Sequence, residues 1–327
     1  MPEVGITAIG RNEGDRLRGC LQSALRASPL VIYVDSASSD RSVDVARALG
    51  VELIEIDPTI PLGPSRARNA GVARLLELDP KVEFVQFVDG DCELIDGWIA
   101  VALRRLQSTP KVAIVCGRLR ERFPAASVYN KLCEMEWDQP PGESLACGGI
   151  FMVRVAAFQE VHGFDPDVLA GEDAELCLRL RNRSWKILRV DSEMAVHDSA
   201  ILRFGQWWKR AVRCGYSYAQ GAHLHGSFPN RHYVRDTRLV WFWAFLIPAF
   251  SLCAAWPSRG MSLWLLLIYP AQFCRMYSIG RARPLSRETA AAYGLSCILC
   301  RFAQFYGFWK FVLRRIRGTP VQLIEHR

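Results

Sequence analysis

Four short apolar runs, Val4–Ile9, Leu30–Asp35, Val51–Ile56 and Phe84–Asp89, punctuate the N-terminal part of the chain, with helix-like stretches between them. Asp15–Arg26 sets Leu17, Cys20, Leu21 and Leu25 at helical spacing, and Val43–Leu49 and Arg66–Leu78 read as helices too. Parallel strands need long crossovers, usually helical, and the helices then cover both faces of the sheet. The alternation therefore predicts an α/β fold with a mostly parallel sheet. In such sheets ligands bind beyond the carboxyl ends of the strands. Polar residues that directly follow an apolar run are the ones to examine.

Composition matters here for where the charge lies. The formal charge is +8, but residues 1–230 hold 27 Lys+Arg against 30 Asp+Glu, while residues 231–327 hold 14 against 3. A uniformly basic nucleic-acid binder is not expected, and nucleic acid is not an expected partner. The positive charge goes with the apolar C-terminus, which points to a membrane surface. Leu239–Trp256 contains no charged residue across 18 positions, and Met261–Cys274 continues apolar for 14 more after the turn Pro257-Ser-Arg-Gly260. Since roughly 20 apolar residues cross a bilayer, two spans are expected, over 239–256 and 261–280. Trp241, Trp243, Trp256 and Trp264 near the segment ends favour a membrane over a buried hairpin.

A third segment, 290–313, places Leu295, Ile298, Leu299, Phe302, Tyr306, Trp309 and Leu313 on one face. Its basic end, Arg314-Arg315-Ile-Arg317, suits a helix lying in the cytoplasmic interface. The expected organisation is thus a catalytic-type domain over 1–230 and a membrane-anchoring region over 231–327. The N-terminus has no basic segment followed by a long apolar run, so a secretory signal is not expected. The first two hundred or so residues should stay in the cytoplasm. The eleven cysteines are scattered and odd in number, and Cys297-x-x-Cys300 lacks a second pair at zinc spacing.

Several polar groups stand where the sheet argument places a ligand. Asp89-Gly-Asp91 ends the fourth strand, and two carboxylates one residue apart can share a divalent cation such as Mg2+ or Mn2+. An ordinary polar turn uses the same residues. Asp35 ends the second strand, and Ser38, Ser39 or Asp40 is placed to cap the next helix. Asn12 and Glu13, after the first strand, line the same edge, and Arg66 and Arg68 stand near a helix start where a phosphate could be held. Gly148 and Gly149 allow close approach of a ligand to backbone. Glu172 and Asp173 follow Gly171 into a helix, which suits either a general base or plain helix stabilisation. His197 follows a further apolar stretch and is the histidine best placed to complete an oxygen-rich metal site, although a lone histidine is more often structural.

Taken in order, Asn12-Glu13, Val34-Asp35-Ser-Ala-Ser-Ser39-Asp40, Arg68-Asn69-Ala-Gly71, Asp89-Gly-Asp91, Gly148-Gly149, Gly171-Glu172-Asp173 and His197 resemble the family 2 glycosyltransferases, inverting enzymes with the GT-A fold. The resemblance runs from about Val4 to about Tyr218. It implies a nucleotide-sugar donor, with a UDP-sugar favoured, and a divalent cation, Mn2+ or Mg2+. It also implies that Asp35 contacts the base and that Arg68 lies near the phosphates. Asp91 would bind the metal, Asp89 would reach the ribose or support the metal, and His197 would be a further ligand. Asp173 would be the catalytic base, with Glu172 beside it.

Processive members carry Gln-x-x-Arg-Trp after the base, whereas this chain has Gln206-Trp-Trp-Lys209-Arg210. Dolichyl-phosphate sugar synthases have a different stretch where this chain reads Cys92-Glu-Leu-Ile-Asp-Gly-Trp98. The resemblance therefore implies a single transfer to a lipid-linked or other saccharide acceptor at the cell membrane, with the catalytic domain on the cytoplasmic side. Two rivals are a sugar-phosphate nucleotidyltransferase and a catalytically silent membrane scaffold. The first usually opens with a Gly-rich loop and lysine, which Ile9-Gly10-Arg11-Asn12 is not; the second would be expected to lose Asp91 or Asp173.

Overall fold

The computed structural model describes residues 4–283 and 285–318; the end of the expected C-terminal region, 319–327, lies outside the described residues. The chain divides into two compact units. One takes the described residues up to Phe123 and then Cys133–Ser199, and the other takes Pro124–Leu132 and the described residues from Ala200 onward. The helix that begins at Phe204 packs with the C-terminal helices and so falls in the second unit.

The first unit opens as the sequence predicts. Strands β1 (Val4–Gly10), β2 (Val31–Asp35), β3 (Glu52–Glu55) and β4 (Phe84–Asp89) alternate with helices α1 (Asp15–Ala27), α2 (Ser42–Ala48) and α3 (Pro64–Leu78). They pair in parallel, β1 with β2 and β4, and β2 with β3. β1, β2 and β4 are buried almost throughout, as strands covered on both faces must be. Helix α1 buries Leu17, Cys20 and Leu21 of the predicted apolar stripe, with Leu25 partly buried, and adds Ala24.

Beyond β4 the expectation of a mostly parallel sheet fails. The remaining elements are β5 (Cys92–Leu94), α4 (Trp98–Ser108), β6 (Val112–Glu121), α5 (Val128–Trp137), β7 (Gly142–Ser144), β8 (Phe151–Arg154), α6 (Val155–Glu160), α7 (Glu172–Asn182) and β9 (Lys186–His197). The nine-stranded sheet runs β3-β2-β1-β4-β8-β6-β9-β5, with β7 on β9. β6 and β9 pair in parallel, but β8 is antiparallel to β4 and β6, and β5 and β7 are antiparallel to β9. The sheet is mixed. The antiparallel strands are three or four residues long, too short to carry a readable pattern. Phe87, Phe151, Phe158 and Phe164 pack edge to face beneath this second half, with neighbouring centroids such as Phe87–Phe151 at 5.2 Å.

The second unit is helical. α8 (Phe204–His225) and α12 (Arg287–Arg317) pack along one another. Gly215 on α8 faces the Gln304 backbone, and Gly307 on α12 faces the Val212 carbonyl, so no Cβ fits at either point. Small residues at such crossings let helix backbones touch. Helix α12 packs through small residues rather than through the large-residue face that is expected to lie in a membrane interface. Ala290, Gly294, Ala303, Gln304 and Gly307 are buried, whereas Leu295, Tyr306, Trp309 and Leu313 are exposed.

Among the described residues one helix, Val234–Cys253, is long and apolar enough to cross a membrane, and only 17% of its most apolar window is buried. It comprises α9 (Val234–Trp241), a π-helical turn over Phe242–Leu246, and α10 (Ile247–Cys253). Pro248 explains the wide turn: it has no N–H for the carbonyl four residues back, and Ile247 N bonds instead to Phe242 O. The second expected span, 261–280, is not one α-helix. Met261–Leu267 is a 3-10 turn, and α11 (Ile268–Ala282) supplies the rest with Arg275 and Arg281 in it.

Candidate active site

β1, β2 and β4 deliver their carboxyl ends to one edge of the sheet, and the predicted polar residues gather there. Asn12 takes a left-handed conformation with φ 57°. Its Oδ1 accepts from Ser39 N at 2.8 Å, and its N–H donates to Ser38 Oγ at 2.9 Å. Glu13 N donates to Ser42 Oγ, and its carboxylate pairs with Arg16 at 3.0 Å. Asp35 is 1% exposed and accepts from Ser38 N at 2.7 Å, Ser38 Oγ at 2.6 Å and Tyr33 Oη at 2.9 Å. Burial and the adjacent Asp35 carboxylate push the Tyr33 hydroxyl far above its ordinary pKa, so it remains a donor. The predicted caps are thus redistributed. Ser38 and Ser39 serve Asp35 and Asn12, and only Asp40 bonds a helix N–H, that of Ser42.

Arg68 is where sequence reasoning and structure differ most. It is 2% exposed, its Nη2 donates to Asp89 Oδ1 at 2.8 Å, and its Nη1 donates to Glu172 Oε1 at 2.8 Å. The guanidinium also lies over the Phe164 ring at 5.5 Å. The arginine expected beside phosphates is a buried clasp joining the end of β4 to the start of α7. Arg66 instead pairs with Asp167 at 3.3 Å. Gly148 has φ 88°, and a Cβ on Gly149 would stand 2.7 Å from Arg68 Nη2 and 3.1 Å from Asp89 Oδ2. Gly149 is needed for that approach.

Asp173 follows Glu172 in the first turn of α7 and is half-buried. Burial and the neighbouring Glu172 charge push its carboxyl up to about 6, against the opposing pull of Arg68. A carboxylate in that range is tuned to take a proton near neutral pH.

Strand pairing builds the second cluster. Cys92 of β5 lies opposite His197 of β9, and Asp198 N donates to Asp91 O at 3.0 Å. His197 Nε2 consequently sits 2.8 Å from Asp91 Oδ2, while Cys92 Sγ lies 3.2 Å from Asp91 Oδ1. One ligand atom from each of these three residues falls within 4.8 Å of the others. Burial holds the Cys92 thiol well above its ordinary pKa, so it stays protonated and is a poor ligand. That leaves a carboxylate oxygen and an imidazole nitrogen, a donor pair that would suit a divalent cation such as Mn2+. Asp89, expected to join Asp91 there, turns to Arg68 instead. Trp137 packs on His197 with ring centroids 4.7 Å apart. Neither Cys92 nor Trp137 carries a recognisable signal in the sequence, since both depend on pairings distant along the chain.

Residues 9–161 match the model of glycosyl transferase family 2, and residues 128–280 match that of glycosyl transferase family group 2. Pre-mycofactocin glycosyltransferases of two Mycobacterium tuberculosis strains are 25% identical over 234 residues, covering 68% of this chain and 48% of theirs. The chain thus spans about half the length of these curated relatives. A mannosyltransferase from Pyrobaculum calidifontis, solved in complex with GDP-Man and Mn2+, has a similar fold with TM-score 0.59 at 16% identity, over 95% of this chain and 87% of that one. By these matches the chain is similar to family 2 glycosyltransferases, and the mannosyltransferase structure shares its mixed α/β fold.

Proposed function

We propose that this protein is an inverting, metal-dependent, non-processive glycosyltransferase that moves a sugar from a nucleotide-sugar to an acceptor hydroxyl. The observation that carries this reading is the Arg68 clasp. By joining Asp89 to Glu172 it holds the sheet edge that receives a donor and the helix start that bears Asp173 on one rigid frame. Asp173 takes the proton of the acceptor hydroxyl. That oxygen then forms a bond to the anomeric carbon, on the face opposite the departing diphosphate, as the carbon–oxygen bond to the diphosphate breaks. Asp91 and His197 would hold a divalent cation, which when bound neutralises charge on the leaving diphosphate. Asp35 receives the base, with Asn12, Glu13, Gly148 and Gly149 lining the donor's path.

The donor proposed is a UDP-sugar, and the acceptor a lipid-linked or other envelope saccharide. Helix Val234–Cys253, largely unburied, attaches the chain to the cell membrane, with the catalytic unit on the cytoplasmic side. The test uses the full chain in detergent with Mn2+, a panel of labelled UDP- and GDP-sugars, and extracted lipid or saccharide acceptors. Transfer with inversion at the anomeric carbon supports the reading. Binding of donors without transfer to any acceptor class would argue for a silent scaffold.

A further inference from the structure

At the start of the apolar helix a cleft of about 340 Å³ is lined by Arg231, Val234, Arg235, Arg238, Leu239 and Phe242. From Val234 to Phe242 the lining residues recur at three- or four-residue spacing along one helix face, and Arg231 adds a third guanidinium from the turn before the helix. All three arginines are exposed. Arg231 lies over the Phe228 ring at 5.8 Å, and among the described residues the guanidinium groups of Arg235 and Arg238 make no hydrogen bond or ion pair. Asp236, the acidic residue of α9, is not among the lining residues. Among the described residues, no acidic side chain lines the cleft.

We infer that this cleft binds the phosphate of an anionic membrane lipid. Arginine forks match phosphate oxygens two at a time, which a scattered basic surface does not achieve. The apolar half of the lining selects a source: Val234, Leu239 and Phe242 have nothing to offer a free phosphate but suit the glycerol and first methylenes of a lipid. Phe242, Phe245, Leu246 and Phe250 continue exposed along the same helix, which puts the arginines at headgroup depth if that helix enters the bilayer. The inference rests on the membrane attachment proposed above. Its consequence is that the chain selects an anionic leaflet and holds a defined lipid at the helix start.

The test is native mass spectrometry of the full chain released from neutral detergent, titrated with phosphatidylglycerol or phosphatidylcholine. Phosphatidylglycerol should be retained and phosphatidylcholine should not. A basic residue near an anionic surface contributes roughly fivefold, so Arg235→Gln with Arg238→Gln should weaken retention about 25-fold. The Lys pair keeps the charge but loses the forks, and should fall between. Arg47→Gln with Arg74→Gln, exposed arginines of the other unit, should change nothing. Equal loss in that control, full retention in the Gln pair, or full retention in the Lys pair would overturn the site. Displacement of the lipid by inorganic phosphate at matched ionic strength would show that the cleft takes a soluble anion instead. Stabilisation by UDP and Mn2+, measured on the same samples, reports the donor site separately. A chain that remains soluble without detergent would sink the membrane reading itself.

Discussion

Arg68 and Glu172, 104 residues apart, form a 2.8 Å ion pair in which both side chains are almost wholly buried. A buried pair stabilises little compared with a well-packed apolar pair, but breaking one side of it strands a charge. Arg68→Met is therefore expected to cost about 3–5 kcal/mol of folding stability, read by urea unfolding. Arg68→Lys should be intermediate, because one ammonium cannot span both Asp89 and Glu172. Arg68 also pulls the Asp173 carboxyl down, so its loss should move the acidic limb of the rate profile to higher pH. A Met variant as stable as the parent would show that the clasp is not the frame described.

The pair Asp89 and Asp91 separates two roles that a single motif conceals. Asp91→Ala and His197→Ala should each abolish binding of Mn2+ measured by electron paramagnetic resonance, and chelation should stop transfer until Mn2+ or Mg2+ is restored. Asp89→Asn should leave Mn2+ affinity within a few fold while lowering stability through Arg68. If Asp89→Asn loses the metal as completely as Asp91→Ala, both carboxylates bind it and the Arg68 contact is secondary.

How much of this could be read beforehand depends on the range of the interaction. β1, β2 and β4 and their terminal Asp35 and Asp89 were legible because buried strands write continuous apolar runs. The gathering of Glu172 and Asp173 with that edge followed only from resemblance. The burial of Arg68 was not legible, since nothing local distinguishes a helix arginine that meets water from one that meets Asp89 and Glu172. The fates of Asp89 and Asp91 depend on β5 pairing with β9, a three-residue register. On α12, large apolar residues drew attention to the face that stays exposed, whereas glycine and alanine made the contact.

Membrane attachment turns on helix Val234–Cys253. The full chain is expected to sediment with membranes and to need detergent. A charged residue near a helix centre costs about 2.5–3.5 kcal/mol on insertion, and Leu246 and Phe250 are both exposed. Leu246→Arg with Phe250→Arg should move the protein to the supernatant without disturbing donor binding. A parent chain found in the supernatant would refute the anchor.

Asp173 carries the mechanism, and its raised pKa makes two linked predictions. Only the ionised form accepts a proton, so the transfer rate should rise with pH through about 6 and then level off. Asp173→Asn keeps the shape but cannot take the proton, and single-turnover transfer should fall about 10²–10⁴-fold with nucleotide affinity little changed. Glu172→Gln should be milder in rate and costlier in stability, because it weakens the clasp. The stability sign is opposite for Asp173. Its folded pKa lies above the ordinary 3.8, so its protonated form favours the fold. That contribution is fully present below pH 3.8 and is lost as pH rises through about 6. At pH 7.5 the native charge is a burden that Asn lacks, so Asp173→Asn should melt higher than the parent there and no higher at pH 3.5. Thermal melts at the two pH values decide it. An Asn variant that transfers at the parental rate would remove Asp173 as the base, whatever its melting behaviour.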